Sequence, residues 1–153
     1  MAKEVAHELA KADNERTVLF CSLLTKKTFI EVATEMIHSC GRIHTQLPEN
    51  PEQWLKDWSK QIQTQVTFVL DNVDGVLESD DRNSFVKMLS AVRMLSKQNV
   101  TFVITSRKTF SDPDLQSKEV VLKVVSVKQA KKILVSRASD QDVTEAFQDK
   151  KNR

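Results

Sequence analysis

Val66-Thr67-Phe68-Val69-Leu70 and Val100-Thr101-Phe102-Val103-Ile104 are two nearly identical runs of apolar and β-branched residues, with a helix-patterned segment between them. Runs without polar alternation belong to strands covered on both faces, and strands separated by a helix are parallel. The flanks of the two runs share nothing. The near-identity therefore reads as equal burial of two neighbouring core strands, not as an internal repeat.

The rest of the chain extends this pattern. Ala2, Val5, Ala6 and Leu9 fall at the i, i+3, i+4, i+7 spacing of an amphipathic helix over 2–12. Thr17 to Cys21 reads as a short buried strand. Thr28 and Glu31 have the spacing of a capping box, followed by a stripe of Phe29, Ile30, Ala33, Met36, Ile37 and Cys40 that Gly41 closes. After a polar loop over 42–49, Asn50 caps a helix with Pro51 at its first position and Trp54, Leu55, Trp58 and Ile62 on its apolar side. An acidic loop over 71–81 precedes a helix over 82–97, whose Phe85, Met88, Leu89, Val92 and Leu95 face inward. A third strand is expected at 120–125. Beyond it, Ser126 and Gln129 cap a helix running to about Ser139, and 140–153 is a polar, charged tail. The predicted order is α-β-α-α-β-α-β-β-α, an α/β three-layer sandwich on a mainly parallel sheet with right-handed crossovers.

At 153 residues the chain has the size of one domain with a buried core. A net charge of +2 is too small to argue for nucleic acid or a membrane surface as a partner. No apolar run approaches the roughly 18 residues that a membrane span needs, and the N-terminus has no signal-peptide core. Cys21 and Cys40 fit neither a metal-ligand spacing nor a disulfide framework, so the cytoplasm is the expected compartment.

The candidate chemistry sits where the two runs end. Val66–Leu70 passes directly into Asp71, Asn72 and Asp74, and Val100–Ile104 into Thr105, Ser106 and Arg107. In open α/β sheets, ligands bind at the carboxyl ends of the strands. A carboxylate there commonly holds Mg²⁺ against nucleotide phosphates, and an arginine suits a terminal phosphate by shape and permanent charge. Asp and Asn also begin ordinary turns after strands, and an Arg–Lys pair is common at surface loops. The two segments together weigh more, because one parallel sheet would place Asp71 and Arg107 on the same edge. No G-x-x-x-x-G-K-[ST] accompanies them, and Gly41 and Gly75 are the only glycines. His7, His38 and His44 have no second ligand at i+4. Trp54 and Trp58 read as packing anchors, and Ser22, Ser39 and Ser106 lack a nucleophile elbow.

In this order the segments resemble the nucleotide-binding core of the STAND class of P-loop NTPases, nearest the NB-ARC group. Ala2–Leu9 resembles the helix that follows the family's phosphate loop, and Phe68 to Asp74 resembles its Walker B strand. Phe102 to Arg107 resembles the sensor strand. Val125-Ser126 and Gln129-Ala130 through Ile133-Leu134 resemble the entry to the following helical subdomain. The resemblance implies a partial core over 1–125 that lacks the first, central strand with its Walker A loop. It further implies that 126–153 begins a helical subdomain, and that the chain is a fragment or a reading begun at an internal methionine.

By the same resemblance the intact parent would be an ADP/ATP-binding signalling switch of immune or cell-death type and a weak ATPase. Asp71 would hold Mg²⁺, and Asn72, Thr105, Ser106 and Arg107 would contact nucleotide. Asp74 is the candidate base, because Asn72 stands where many relatives carry a second acid. Without the missing strand, the strands at 66–70 and 100–104 that would flank it either keep unpaired edges or pair directly. The chain alone would be inactive and bind nucleotide weakly. Self-association, or association with related NTPases, is the expected partnership. The alternative is a nucleotide-free interaction module or decoy that keeps the fold without the phosphate loop.

Overall fold

The computed structural model describes residues 2–13, 15–41, 47–108, 115 and 118–121. The chain divides into a compact unit over 1–119 and a second over 120–153, of which only Val120 and Val121 are described. In the first unit the elements run α1 (Ala2–Ala12), β1 (Thr17–Ser22), α2 (Phe29–Ser39), α3 (Pro51–Gln61), β2 (Val66–Asp71), α4 (Asp74–Leu77), α5 (Arg82–Leu95) and β3 (Val100–Ile104).

The three strands form one parallel sheet in the order β1-β2-β3. The two similar runs lie side by side in matched register, Val66 against Val100, Phe68 against Phe102 and Leu70 against Ile104. Their likeness follows from this: each level of the sheet buries the same side chain twice. The Phe68 and Phe102 rings stack with centroids 5.9 Å apart, and Trp58 meets Phe68 edge-on at 5.8 Å. These two strands pair directly with each other, and β3 has no strand partner on its other side among the described residues.

Alternate residues of the strands face two different helical layers. Cys21, Val66, Phe68, Leu70 and Val100 pack with Val32, Ala33, Met36 and Ile37 of α2, Leu55 of α3, and Phe85, Met88, Leu89 and Val92 of α5. Val18, Phe20, Val69 and Val103 face the opposite way, against Ala2, Ala6 and Leu9 of α1. The architecture is thus α/β with an all-parallel sheet between two helical layers. Central β2 is buried from Val66 to Leu70, as its unbroken apolar run requires.

Several expectations need correction. β1 and β3 are only partly buried, because each has one edge without a strand partner among the described residues. In α2 the buried residues are Val32, Ala33, Met36 and Ile37, with Phe29 and Cys40 partly buried against the same core, whereas Ile30 is exposed. The stretch 71–81 is not all loop, because α4 forms a single turn within it. Helix α5 stops at Leu95, and the chain then turns through left-handed Lys97 and Gln98 to enter β3. Val120 and Val121 are exposed and lie in no strand; the rest of the expected strand, the helix from Ser126 and the tail lie outside the described residues.

The predicted caps form as the spacing requires. Thr28 Oγ1 accepts from the Glu31 amide at 3.3 Å, and Glu31 Oε2 accepts from the Lys27 and Thr28 amides, each at 2.9 Å. The Asn50 side chain accepts from the Gln53 amide at 3.0 Å. Cys21 and Cys40 are free thiols; burial pushes Cys21 up to about 12 and Cys40 to about 11, the state of inert core cysteines.

Candidate functional site

The site is built where β2 and β3 end side by side. The sheet register brings Leu70 opposite Ile104, so Asp71 and Thr105 leave the sheet together. Thr105 then joins the two ends through both backbone and side chain. Its amide donates to the Leu70 carbonyl at 3.0 Å, and its own carbonyl accepts from the Val73 amide at 3.1 Å. Its hydroxyl donates to Asp71 Oδ1 at 2.6 Å and accepts from the Asn72 amide at 2.9 Å. Asn72 reaches this position with φ of +63°, a left-handed conformation that asparagine tolerates better than most residues. The β1 end joins the same edge, because the Leu23 amide donates to the Asp71 carbonyl at 2.9 Å.

Asp74 opens α4, and the turn of that helix brings its carboxylate back over the sheet edge onto the turn after β3. Ser106 Oγ donates to Asp74 Oδ1 at 2.8 Å, and the Arg107 amide donates to the same oxygen at 3.0 Å. Arg107 Nε donates to Oδ2 at 3.3 Å. Burial alone would raise the Asp74 pKa, but the donors from Ser106 and Arg107, together with the arginine's charge, outweigh it and hold the carboxyl below its ordinary range. The side chain of Asp74 is only 6% exposed, whereas that of Arg107 is 84% exposed.

Three further residues complete the arrangement. Lys108 pairs with Glu78 at 2.5 Å, and its amide donates to Ser106 Oγ at 3.0 Å. Asp74 and Glu78 are four apart on the α4 turn, so both carboxylates face the 105–108 turn. That signal was present in the sequence but invisible while the stretch was read as loop. The third is Gly75: a Cβ placed there would stand 2.4 Å from the Lys26 carbonyl oxygen. The turn after β1 therefore lies directly against α4, and only glycine allows it.

All six sequence-selected residues, Asp71, Asn72, Asp74, Thr105, Ser106 and Arg107, thus come together in one hydrogen-bonded edge. The Thr105 bond occupies Oδ1 of the Asp71 carboxylate. Arg107 presents an exposed permanent charge. Among the described residues, no three His, Cys, Asp or Glu side chains gather as a metal cluster, and no helix is long and apolar enough to cross a membrane. His7 and His38 lie on helices α1 and α2, while His44 lies outside the described residues. Trp54 and Trp58 stack at 6.3 Å and pack against the core.

A comparison of the chain with models of known protein families finds no match, and a comparison with curated proteins finds none.

Proposed function

We propose that this chain is the core of an ADP/ATP-binding signalling switch of NB-ARC type, without the strand and loop that grip phosphate. The observation that carries the reading is the shared edge. A strand-end carboxylate, Asp71, and a strand-end arginine, Arg107, leave adjacent parallel strands at the same end, tied together through Thr105 and Asp74. The residues fit the group they would serve. Mg²⁺ would be held at Asp71, where its charge would neutralise the phosphates. Arg107 would meet the terminal phosphate, and Asn72, Thr105 and Ser106 would set the shape of the edge. In the intact switch, the charge state at Arg107 would report which nucleotide is bound. By itself the chain would hold nucleotide weakly and hydrolyse none, because a backbone nest and its lysine supply most of the grip on phosphate.

A second reading, a nucleotide-free interaction module or decoy, is favoured by one specific observation: the edge's carboxylates are already engaged by the protein itself, Asp71 by the Thr105 hydroxyl and Asp74 by Ser106 and Arg107. The discriminating experiment is to read the full-length transcript. An in-frame strand with G-x-x-G-x-G-K-[ST] just upstream of Met1 is expected for the switch. An in-frame stop codon in its place would sink the switch and leave the module.

A further inference from the structure

We propose that Asp74 is a positioning residue for Arg107, holding its backbone and Nε so that the remaining guanidinium donors project outward as an anion receptor. The choice of a phosphate-class anion rests on the nucleotide reading above; the hold of Asp74 on Arg107 does not.

Three observations combine. Asp74 takes the Arg107 amide and Nε on its two different oxygens, at 3.0 and 3.3 Å, which fixes both the start of the side chain and the near end of its fork. Ser106 donates to Asp74 at 2.8 Å while accepting from the Lys108 amide at 3.0 Å, so the turn carrying Arg107 is tied on either side of it. Beyond Nε, the Nη groups of Arg107 make no hydrogen bond within the described residues, and the side chain is 84% exposed. A carboxylate that matched the arginine fork would engage Nε and one Nη together. Here the carboxylate takes Nε, and the rest of the exposed guanidinium keeps the donors that could engage phosphate oxygens. An unrestrained arginine would lose its rotamer freedom on binding an anion, and the Asp74 contact removes part of that loss beforehand.

The opposing effect is electrostatic. The Asp74 carboxylate repels any anion brought to Arg107, so charge alone requires that its removal tighten anion binding. Positioning requires the opposite, and the sign of the change separates the two. The full chain labelled with ¹⁵N-arginine is titrated with inorganic pyrophosphate, following the Arg107 Nε–H signal assigned by Arg107→Lys. Asp74→Asn keeps the shape of the side chain and removes its charge, and Ser106→Ala, which removes a single donor, serves if Asp74→Asn fails to fold.

The wild-type Nε–H of Arg107 should exchange with water more slowly than that of an arginine in a short unstructured peptide. Asp74→Asn should abolish this protection and raise the pyrophosphate midpoint by roughly three- to tenfold, within the entropy of fixing one arginine. Ser106→Ala should move both readouts the same way by less. Unchanged Nε–H exchange in Asp74→Asn, or a lower pyrophosphate midpoint, would overturn the proposal. A protected Nε–H that pyrophosphate never shifts would support the hold of Asp74 and overturn the nucleotide reading instead.

Discussion

Gly75→Ala tests how closely the three strand-end turns are pressed together. Gly75 lies inside α4 and has no left-handed backbone that would demand glycine. By helix propensity alone, alanine there should stabilise by about 1 kcal/mol. The Lys26 carbonyl oxygen lies 2.4 Å from where the new methyl would stand, and a backbone atom cannot swing aside as a side chain can. Restoring ordinary contact needs a separation of about 3.4 Å, hence a shift of roughly 1 Å between the turn after β1 and α4, in the range where overpacking costs about 1–3 kcal/mol. The clash should outweigh the propensity gain, leaving a net loss of up to about 2 kcal/mol, or a drop in Tm of up to roughly 8 °C for a chain of this size. Circular dichroism during thermal melting measures it. Gly41→Ala is the contrast: φ is +86° with nothing within 4 Å, so only backbone strain of about 1 kcal/mol is expected. A Tm for Gly75→Ala equal to or above wild type would refute the close approach.

Other expectations follow from the same geometry. Thr28→Ala removes the acceptor of the Glu31 amide and should cost about 1 kcal/mol in urea unfolding, whereas Thr28→Ser should cost a few tenths. Asp74 has a depressed folded pKa, so its stabilisation is fully present above the unfolded value of about 3.9 and is lost as pH falls through the folded one. Below about pH 4, Asp74→Asn should therefore lose stability less steeply than wild type in melts followed across pH; parallel slopes would count against the bonds from Ser106 and Arg107. Burial raises Cys21 to about 12, so iodoacetamide near neutral pH should modify it only as fast as the chain unfolds, as mass spectrometry over a urea series would show. Rapid labelling of Cys21 without denaturant would contradict its place in the core.

The parts of the fold legible in the sequence were those where local chemistry and burial point the same way. Val66–Leu70 is apolar on both faces because α1 covers one side and α2, α3 and α5 the other, and no helical period competes with that run. Thr28 and Asn50 announced their helices because capping is settled within four residues. Position within the sheet was harder to read. Val100–Ile104 carries almost the same residues as the central strand yet has a strand partner on one side only among the described residues, and only tertiary pairing distinguishes the two. Asp74 and Glu78 read as loop acids because a four-residue helix has no period to detect, and what anchors it is tertiary: Val73 and Val76 in the core and the bonds of Asp74 to Ser106 and Arg107. The six site residues were found because each ends or follows a buried run. Their hydrogen bonds to one another depend on the register between β2 and β3, which pattern alone does not give.

The most direct test of the nucleotide reading is Mg·ATP binding by calorimetry to the protein translated from the full-length transcript, beside its Asp71→Ala variant. The switch predicts binding by the parent and a loss of at least tenfold on Asp71→Ala, about 1.4 kcal/mol or more, with melting temperature in the absence of nucleotide little changed. Equal binding by the two proteins, or none by the parent, would contradict it and leave the edge of β2 and β3 as a structural joint.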